Sequence, residues 1–221
     1  LEQPVYIADY EHLGVYACRI LVPGMSDIYP VEDLLLANNT MGAHLRETIL
    51  ALPALEWDAE QYMALFDQLD EEGHDERTRV RELLGIAAAK GTALHTLRVG
   101  ELKAMLALAA GDLESALDLI DWTMEFNQSV FPADRAAYYR ALRACVELFL
   151  DEERDPEQYR PVFARMFGEE TLAQAWANAR GEARFHGLEA ADLSLSQFPL
   201  HQKLLAAYEK LQKAKRIHTW N

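Results

Sequence analysis

The sequence predicts a mainly α-helical fold, an array of antiparallel helix pairs preceded by a short β-hairpin. Three observations carry this prediction. β-Branched and aromatic residues concentrate near the amino terminus, in residues 5–10 and 15–22. After Pro30, apolar residues recur at helical spacing. Gly, Asp and Pro then interrupt the helical segments at short intervals, which is typical of helices joined by tight turns.

The two amino-terminal runs predict a β-hairpin, because the residues between them, 11–14, end in Gly14, a favoured turn residue. A two-stranded hairpin alone is marginal in water. Residues 15–22 are also apolar enough for a strand that is covered on both faces. We therefore expect residues 1–30 to be the last piece of an α/β domain outside this chain, so that the chain is a fragment. Residues 31–221 are predicted to form the helical domain.

The helices are delimited by capping signals. Asp58 and Gln61 have capping-box spacing and begin a helix that Gly73 ends. Gly111 and Asp112 suit a tight reversal between two antiparallel helices, since Gly ends the first and Asp caps the second. Further helices are predicted over residues 78–89, 94–110, 112–127, 132–150, 155–168, 169–180 and 198–217, with a loop over 187–196.

Residues 104–116 resemble a tetratricopeptide unit. Gly111 and Asp112 stand at the turn, and Ala116 supplies the small residue that the second helix needs against the first. Gly100 departs from the pattern, because it stands where the first helix usually carries a large apolar residue. No clean repeat near ~34 residues recurs elsewhere in the chain. We predict a tetratricopeptide-like helical array with one well-formed unit and degenerate neighbours.

Composition excludes several classes of function. With 221 residues, half of them apolar, the chain is long enough to bury a core. Its net charge of −15 argues against direct binding of nucleic acid, which favours clustered Lys and Arg. No apolar run approaches the ~20 residues of a membrane span. Two distant cysteines, Cys18 and Cys145, give neither a disulfide framework nor metal spacing, and the reducing cytoplasm is the expected compartment.

No residue is nominated as catalytic, cofactor-binding or metal-ligating. The seven histidines include no pair at the spacing of a helical zinc site. His44 and Glu47 are three residues apart, and a surface contact explains them better than a metal or acid–base role. His12 is flanked by acids in the predicted turn, where a structural role is favoured over proton transfer. Neither a phosphate-binding Gly-rich loop nor a nucleophile elbow occurs.

Two residues of the second predicted strand have polar or reactive side chains. Cys18 lies on the apolar strand, where we expect an inert packed thiol. Arg19 is the one charged residue of that run. We expect it to pair with an acid of the domain outside the chain, which is a structural role.

Charge is segregated along the helical part. Nine acids and no Lys or Arg occur between Glu56 and Glu76, a run that either forms a solvated face or steers a basic partner such as a ribosomal protein. The last predicted helix is basic and has an apolar stripe, so we expect it to pack on the body of the chain or on another subunit. Its basic residues are Lys203, Lys210, Lys213, Lys215 and Arg216, and its apolar stripe is Leu204, Leu205, Tyr208 and Leu211.

The amino-terminal residues also carry a family resemblance. Residues 6–19, followed by Val22-Pro23-Gly24 and continuing to Pro30, are similar to the end of the catalytic domain in YcaO-type proteins, which close that domain with an Arg-containing strand and Val-Pro-Gly. The similarity covers nearly the whole chain. It continues through residues 34–39, 45–50, 79–85, 97–109, 122–127 and 207–212.

This resemblance implies a parent protein that binds ATP and magnesium in its catalytic domain and activates a backbone amide. It also implies assistance in the β-methylthiolation of an aspartate in a small-subunit ribosomal protein, alongside a radical enzyme. The family's nucleotide-binding residues lie upstream of this stretch, and none is matched here. We therefore expect a non-catalytic interaction and oligomerisation module that contacts its own catalytic domain and forms a homodimer. The alternative is a fragment that completes the ATP-dependent active site through its amino-terminal hairpin.

Overall fold

A computed structural model of the chain describes residues 5–9, 17–21, 41–127 and 129–217. These residues form a short antiparallel hairpin followed by ten α-helices. The strands are β1 (Tyr6–Asp9) and β2 (Cys18–Leu21). The helices are α1 (Arg46–Ala51), α2 (Ala59–Glu71), α3 (Val80–Leu83), α4 (Ala93–Thr96), α5 (Val99–Ala110), α6 (Leu113–Asn127), α7 (Ala133–Leu150), α8 (Pro156–Phe167), α9 (Glu169–Ala179) and α10 (Pro199–Ile217).

The predicted hairpin is confirmed. Strands β1 and β2 pair with Ala8 opposite Arg19. The prediction of a packed Cys18 thiol is wrong for this structure, because Cys18 is exposed on a ribbon that has no covering layer among the described residues. The apolar side chains of Val5, Ile7 and Ile20 are likewise more than half exposed. The predicted turn and its His12 lie outside the described residues.

Local capping fixes the start of α2. The Asp58 carboxylate accepts a hydrogen bond from the Gln61 amide at 2.9 Å, and the Gln61 side chain accepts one from the Asp58 amide at 3.1 Å. This is the predicted capping box. Gly73, with φ of +69°, follows the helix as predicted. A short helix that was not delimited from the sequence, α1, precedes it between two single turns of 3-10 helix.

Two predicted helices are shorter than their patterns indicated. The helix predicted over 78–89 is a single turn, α3, because Gly85 adopts φ of +65° and the Ile86 amide bonds back to the Arg81 carbonyl at 2.8 Å. The helix predicted over 94–110 is broken at residues 97–98. There the chain pairs with the start of α3: the Val80 amide donates to the Leu97 carbonyl at 2.9 Å.

The predicted reversal between α5 and α6 is confirmed. Gly111 has φ of +80°, a left-handed conformation that Gly adopts at little cost. The Asp112 carboxylate accepts a hydrogen bond from the Ser115 amide at 3.1 Å. The two helices then pack closely, because a Cβ on Gly100 would lie 2.6 Å from the ring of Trp122. Trp122 therefore fills the space that a large residue at position 100 would occupy.

The later helices follow their predicted boundaries closely. Pro132 precedes α7 and Pro156 opens α8, where the Asp155 carboxylate accepts from the Glu157 amide at 3.2 Å. Gly168 separates α8 from α9. The predicted loop over 187–196 is confirmed, and its Ala191 amide donates to the Leu50 carbonyl at 2.8 Å.

Helix α5 stands between two apolar cores. Leu102 and Leu106 belong to the first core, with α1, α2, α3 and the loop around Phe185. Ala104 and Ala107 belong to the second core, with α6, α7 and α9. Every residue of α5 from Val99 to Leu108 is buried, so the helix has no solvent-facing side over most of its length.

Candidate functional site

A buried polar cluster connects α5 to α7. Glu101, whose side chain is fully buried, is the third residue of α5. Its Oε1 accepts hydrogen bonds from Arg135 Nη2 and from the Tyr139 hydroxyl, the latter at 2.6 Å. Arg135 Nη1 also donates to the Thr96 hydroxyl at 2.7 Å. A carboxylate inside an apolar core is stable only with such partners, so these contacts hold α4, α5 and α7 in one arrangement.

The charges of this cluster balance locally. Burial raises the pKa of the Glu101 carboxyl, and the Arg135 guanidinium and the Tyr139 hydroxyl oppose that shift. Burial raises the pKa of the Tyr139 phenol well above its usual value, and the nearby Glu101 carboxylate raises it further. Tyr139 is therefore a neutral donor at any physiological pH. Arg135 is a cation whose charge is largely compensated by Glu101.

Arg135 also borders a cleft at the surface. Its guanidinium lies 4.8 Å from the centre of the Phe131 ring. In the same cleft His186 stacks on Tyr138, with the ring centres 3.7 Å apart and the planes at 15°. Burial lowers the pKa of His186, and Arg135 lowers it further, while Asp134 opposes the shift. The imidazole is thus neutral near pH 7 and can act as a hydrogen-bonding group.

Two cavities lie side by side at this place. The first, the polar compartment, has a volume of about 600 Å³ and is lined by Arg135, Tyr138 and His186 together with side chains at the starts of α7 and α9. The second, the apolar compartment, has a volume of about 330 Å³ and is lined by α1, α4 and the loop that leads to α10. Both are bordered by Gly91, Thr92, Ala93 and Gly187. Volumes of this size are typical of ligand pockets.

Some acids of the run 56–76 are paired within the chain. The Lys103 side chain is 5% exposed, and its ammonium lies 2.5 Å from Asp70 Oδ1 and 3.1 Å from Glu76 Oε1. Glu72 accepts hydrogen bonds from His44 and His74. Although burial alone would raise the pKa of Glu72, these bonds and one from Gln68 lower it to about 2. His44 thus pairs with Glu72 rather than with Glu47. The carboxylates of Glu56, Glu60, Asp67, Glu71 and Asp75 remain exposed.

The other residues singled out from the sequence lie away from the cleft. Arg19 is exposed on β2. Helix α10 presents Lys203, Lys210 and Lys213 to solvent. Its apolar stripe is only partly packed, with Leu204 half-buried but Leu205 and Tyr208 exposed.

Sequence reasoning missed Glu101, Arg135, Tyr138 and His186. One signal was available for the first of these, because Glu101 is the single acid in the apolar run of α5. Arg135 and Tyr139 follow 34 and 38 residues later, and no spacing rule connects them to Glu101.

Three further features of the described residues bear on function: possible metal ligands, a buried thiol and the apolar character of the helices. No group of three or more His, Cys, Asp or Glu within them is arranged to hold a metal ion. Cys145 is buried, and burial raises the pKa of its thiol to about 12, which makes it a poor nucleophile. Within the part of the chain that the structure describes, no helix combines the length and the apolar character needed to cross a bilayer.

Comparison with known proteins places the chain in a family. Residues 42–217 match the YcaO cyclodehydratase C-terminal domain, and the chain belongs to this family. It is similar to the ribosomal protein S12 methylthiotransferase accessory factor YcaO of Escherichia coli, with 61% identity over 214 residues. It is also 54% identical over 216 residues to an uncharacterized protein of Haemophilus influenzae. Each alignment covers 97% of this chain but only 36% and 37% of these relatives, so the chain spans little more than a third of their length.

Proposed function

We propose that the chain is the non-catalytic C-terminal interaction and oligomerisation module of a YcaO-like protein that assists methylthiolation of ribosomal protein S12. The observation that carries this proposal is the 61% identity, over nearly the whole chain, to a relative named as an accessory factor for that reaction. In this proposal ATP and magnesium bind in the catalytic domain of the parent protein, which activates a backbone amide. A radical methylthiotransferase is the partner that carries out the modification.

The non-catalytic role is supported by how the polar groups of the chain are used. Glu101, Arg135 and Tyr139 bond to one another and hold helices together. The polar compartment does not fit a triphosphate, because Arg135, the one cationic side chain among its described lining residues, is already paired with Glu101. Calorimetric titration with ATP and magnesium should therefore give no binding heat with this chain. Micromolar binding of ATP by the chain alone would contradict the proposal.

Contact with the parent's catalytic domain is supported by the hairpin. Val5, Ile7 and Ile20 are 57%, 67% and 56% exposed, and three adjacent apolar side chains on a two-stranded ribbon favour a covering layer. The alternative function uses the same ribbon as one wall of the ATP-dependent site. The ATP titration separates the two, and so does the pair of variants Ile7→Ser and Ile20→Ser in the full-length protein. If the ribbon serves only for docking, these variants should weaken the contact between the catalytic and the C-terminal domain and leave the affinity for ATP unchanged.

Homodimerisation is supported by the exposed Leu205 and Tyr208 of α10, which stand among exposed lysines, while α2 of the same chain is acidic. Opposite charges on two surfaces of one chain favour contacts between copies. Multi-angle light scattering of the full-length protein and of this chain should report dimers. A strictly monomeric chain at high concentration would contradict this part of the proposal.

A tetratricopeptide-like arrangement is supported by the α5–α6 pair, in which Gly111 turns the chain and Ala116 is fully buried. A cytoplasmic location is supported by the relationship to the Escherichia coli protein and by the free Cys18 and Cys145.

The central test is a binding experiment with S12. Immobilised full-length protein and immobilised chain should both retain purified S12, whereas a full-length protein lacking residues 42–217 should retain much less. Equal retention by the full-length and the shortened protein would contradict the proposed role in binding S12.

A further inference from the structure

The two adjacent cavities suggest what this family member recognises. We propose that the polar and the apolar compartment together form one groove that binds a basic peptide segment of a partner protein, with an apolar side chain in the apolar compartment and a Lys or Arg in the polar one. This inference rests on the proposed function only in so far as S12 is the expected source of the segment. The groove itself depends only on the residues that line it.

The apolar compartment suits an aliphatic or aromatic side chain. Its lining includes Ile49, Leu94, Leu188 and Phe198, of which the last three are only half-buried. Half-buried apolar side chains around an open volume of about 330 Å³ leave apolar surface in contact with water. An inserted apolar side chain would remove that surface from water at about 25 cal/mol per Å² buried. This contribution gives affinity but no preference for charge.

The preference for charge comes from the rim. Asp134 and Glu170 line the polar compartment, and Glu189 lines the apolar one. All three carboxylates are exposed, and none forms an ion pair with another described residue. The cation among the lining residues, Arg135, is compensated by Glu101, and His186 is neutral near pH 7. The uncompensated formal charges among the described side chains that line the groove are therefore negative, which favours Lys and Arg.

The lining also provides hydrogen-bonding groups for a peptide backbone. Gln174 is exposed and Thr171 is half-buried on α9, and both line the polar compartment. Neither side chain bonds within the described chain, so both can bond to a ligand. The wall shared by the two compartments is made of small residues, Gly91, Thr92, Ala93 and Gly187, and this allows a peptide backbone to approach closely.

The binding test uses fluorescence anisotropy with the chain and a short fluorescein-labelled peptide of Lys, Leu and Ser. Two control peptides replace every Lys by Glu, or every Leu by Ser. We expect the Lys–Leu peptide to bind, and to bind at least about tenfold more tightly than either control, with affinity that falls as salt rises. No binding of the Lys–Leu peptide, or equal binding of all three, would overturn the proposal.

Matched variants locate the binding. The double variant Asp134→Lys/Glu170→Lys should weaken binding at least about tenfold, because it reverses the charge at the rim. Its control is Glu114→Lys/Asp118→Lys on α6, which makes the same change in net charge at exposed, unpaired acids away from both cavities. The control should change affinity less than about twofold. Equal weakening by both pairs would mean unspecific attraction to the acidic chain and would overturn the proposal.

A second pair of variants does not depend on charge. Gln174→Trp places a large ring in the polar compartment, while Ala173→Trp adds the same ring at the neighbouring exposed position of α9. Loss of binding in the first but not in the second supports the groove. Unchanged binding in Gln174→Trp would overturn it. Light scattering of the same variant tests whether a second copy of the chain occupies the groove, for example through its α10. A dimer broken by Gln174→Trp would show such an occupant and would also overturn the proposal of a peptide from a partner protein.

The groove and the proposed function can fail separately. If S12 binds the chain and the rim variants leave that binding unchanged, the groove is wrong as its site while the proposed function stands. If the Lys–Leu peptide binds in the groove but S12 does not bind the chain, the groove stands and the proposed S12 partnership fails.

Discussion

Removing Arg135 gives a sharp test of the buried polar cluster. Arg135→Met would leave the fully buried Glu101 with Tyr139 as its remaining described side-chain donor. Breaking one partner of a buried ion pair costs about 3–5 kcal/mol, because the other charge stays buried and uncompensated. Since a typical domain is stable by about 5–15 kcal/mol, the expected loss is a large fraction of the total.

The loss should depend on pH with a defined sign. Burial already raises the pKa of Glu101 above its usual value, and removing the Arg135 charge raises it further. A carboxyl whose folded-state pKa is raised binds its proton more tightly in the folded chain than in the unfolded one. The variant is therefore closest to the wild type at about pH 5, and its deficit grows as the pH rises to about 8.

Urea denaturation followed by circular dichroism measures these free energies of unfolding. The matched control is Arg143→Met on the same helix, where the guanidinium is 36% exposed and pairs with Asp121 and Glu147 at the surface. Such a pair is worth less than about 1 kcal/mol. The double variant Glu101→Met/Arg135→Met removes both charges and should lose less stability than Arg135→Met alone. A loss in the double variant at least as large as that in Arg135→Met alone, or a pH-independent loss in Arg135→Met, would refute the reasoning.

Three further perturbations test the packing, a helix end and the cleft. Gly100→Ala should destabilise the chain, because its Cβ would meet the Trp122 ring at 2.6 Å and overpacking costs about 1–3 kcal/mol. In a Trp122→Leu background the same substitution should stabilise the chain, because Ala has the higher helix propensity. Urea titration gives the sign in each background, and one sign in both would contradict the close packing. Gly111→Ala should lower the free energy of unfolding by about 1 kcal/mol, because Ala is disfavoured at φ of +80°, and Gly111→Asn should lower it less. Thermal melts of the two variants measure the difference. The contribution of His186 to wild-type stability should fall from about pH 7.5 to about pH 5.5, because its lowered folded-state pKa disfavours the protonation that the unfolded chain accepts. His186→Phe keeps the stacking on Tyr138 and removes this contribution, so the stability of the variant relative to the wild type should rise as the pH falls. A stability difference that does not change with pH would count against a neutral imidazole.

The elements that sequence reasoning placed well depend on contacts within one turn. The Asp58–Gln61 capping box and the Gly111–Asp112 reversal involve residues three or fewer positions apart, so their signals are local. The helix predicted over 78–89 ends early because Gly85 turns the backbone at φ of +65°, although the apolar period continues past Leu84. The helix predicted over 94–110 is broken for a non-local reason. Residues 97–98 pair with the start of α3, where the Val80 amide donates to the Leu97 carbonyl, and no local pattern records that pairing.

The candidate site was hidden from the sequence because it is assembled across the fold. Tyr138 and His186 stack although they are 48 positions apart, and each is unremarkable in its own segment. Glu101 gave a usable signal, since a lone acid in an apolar helix must find a buried partner. The identity of that partner, Arg135, depends on how α5 and α7 cross, which composition and periodicity do not specify.

The position of α5 between the two cores has a consequence for how the chain opens. Its Leu102 and Leu106 side chains cannot leave the first core without Ala104 and Ala107 leaving the second. Neither half can then melt while the other stays intact, and unfolding should be a single cooperative event. Backbone amides of α5 should accordingly exchange with deuterated solvent only through global opening, more slowly than those of α8 or α10.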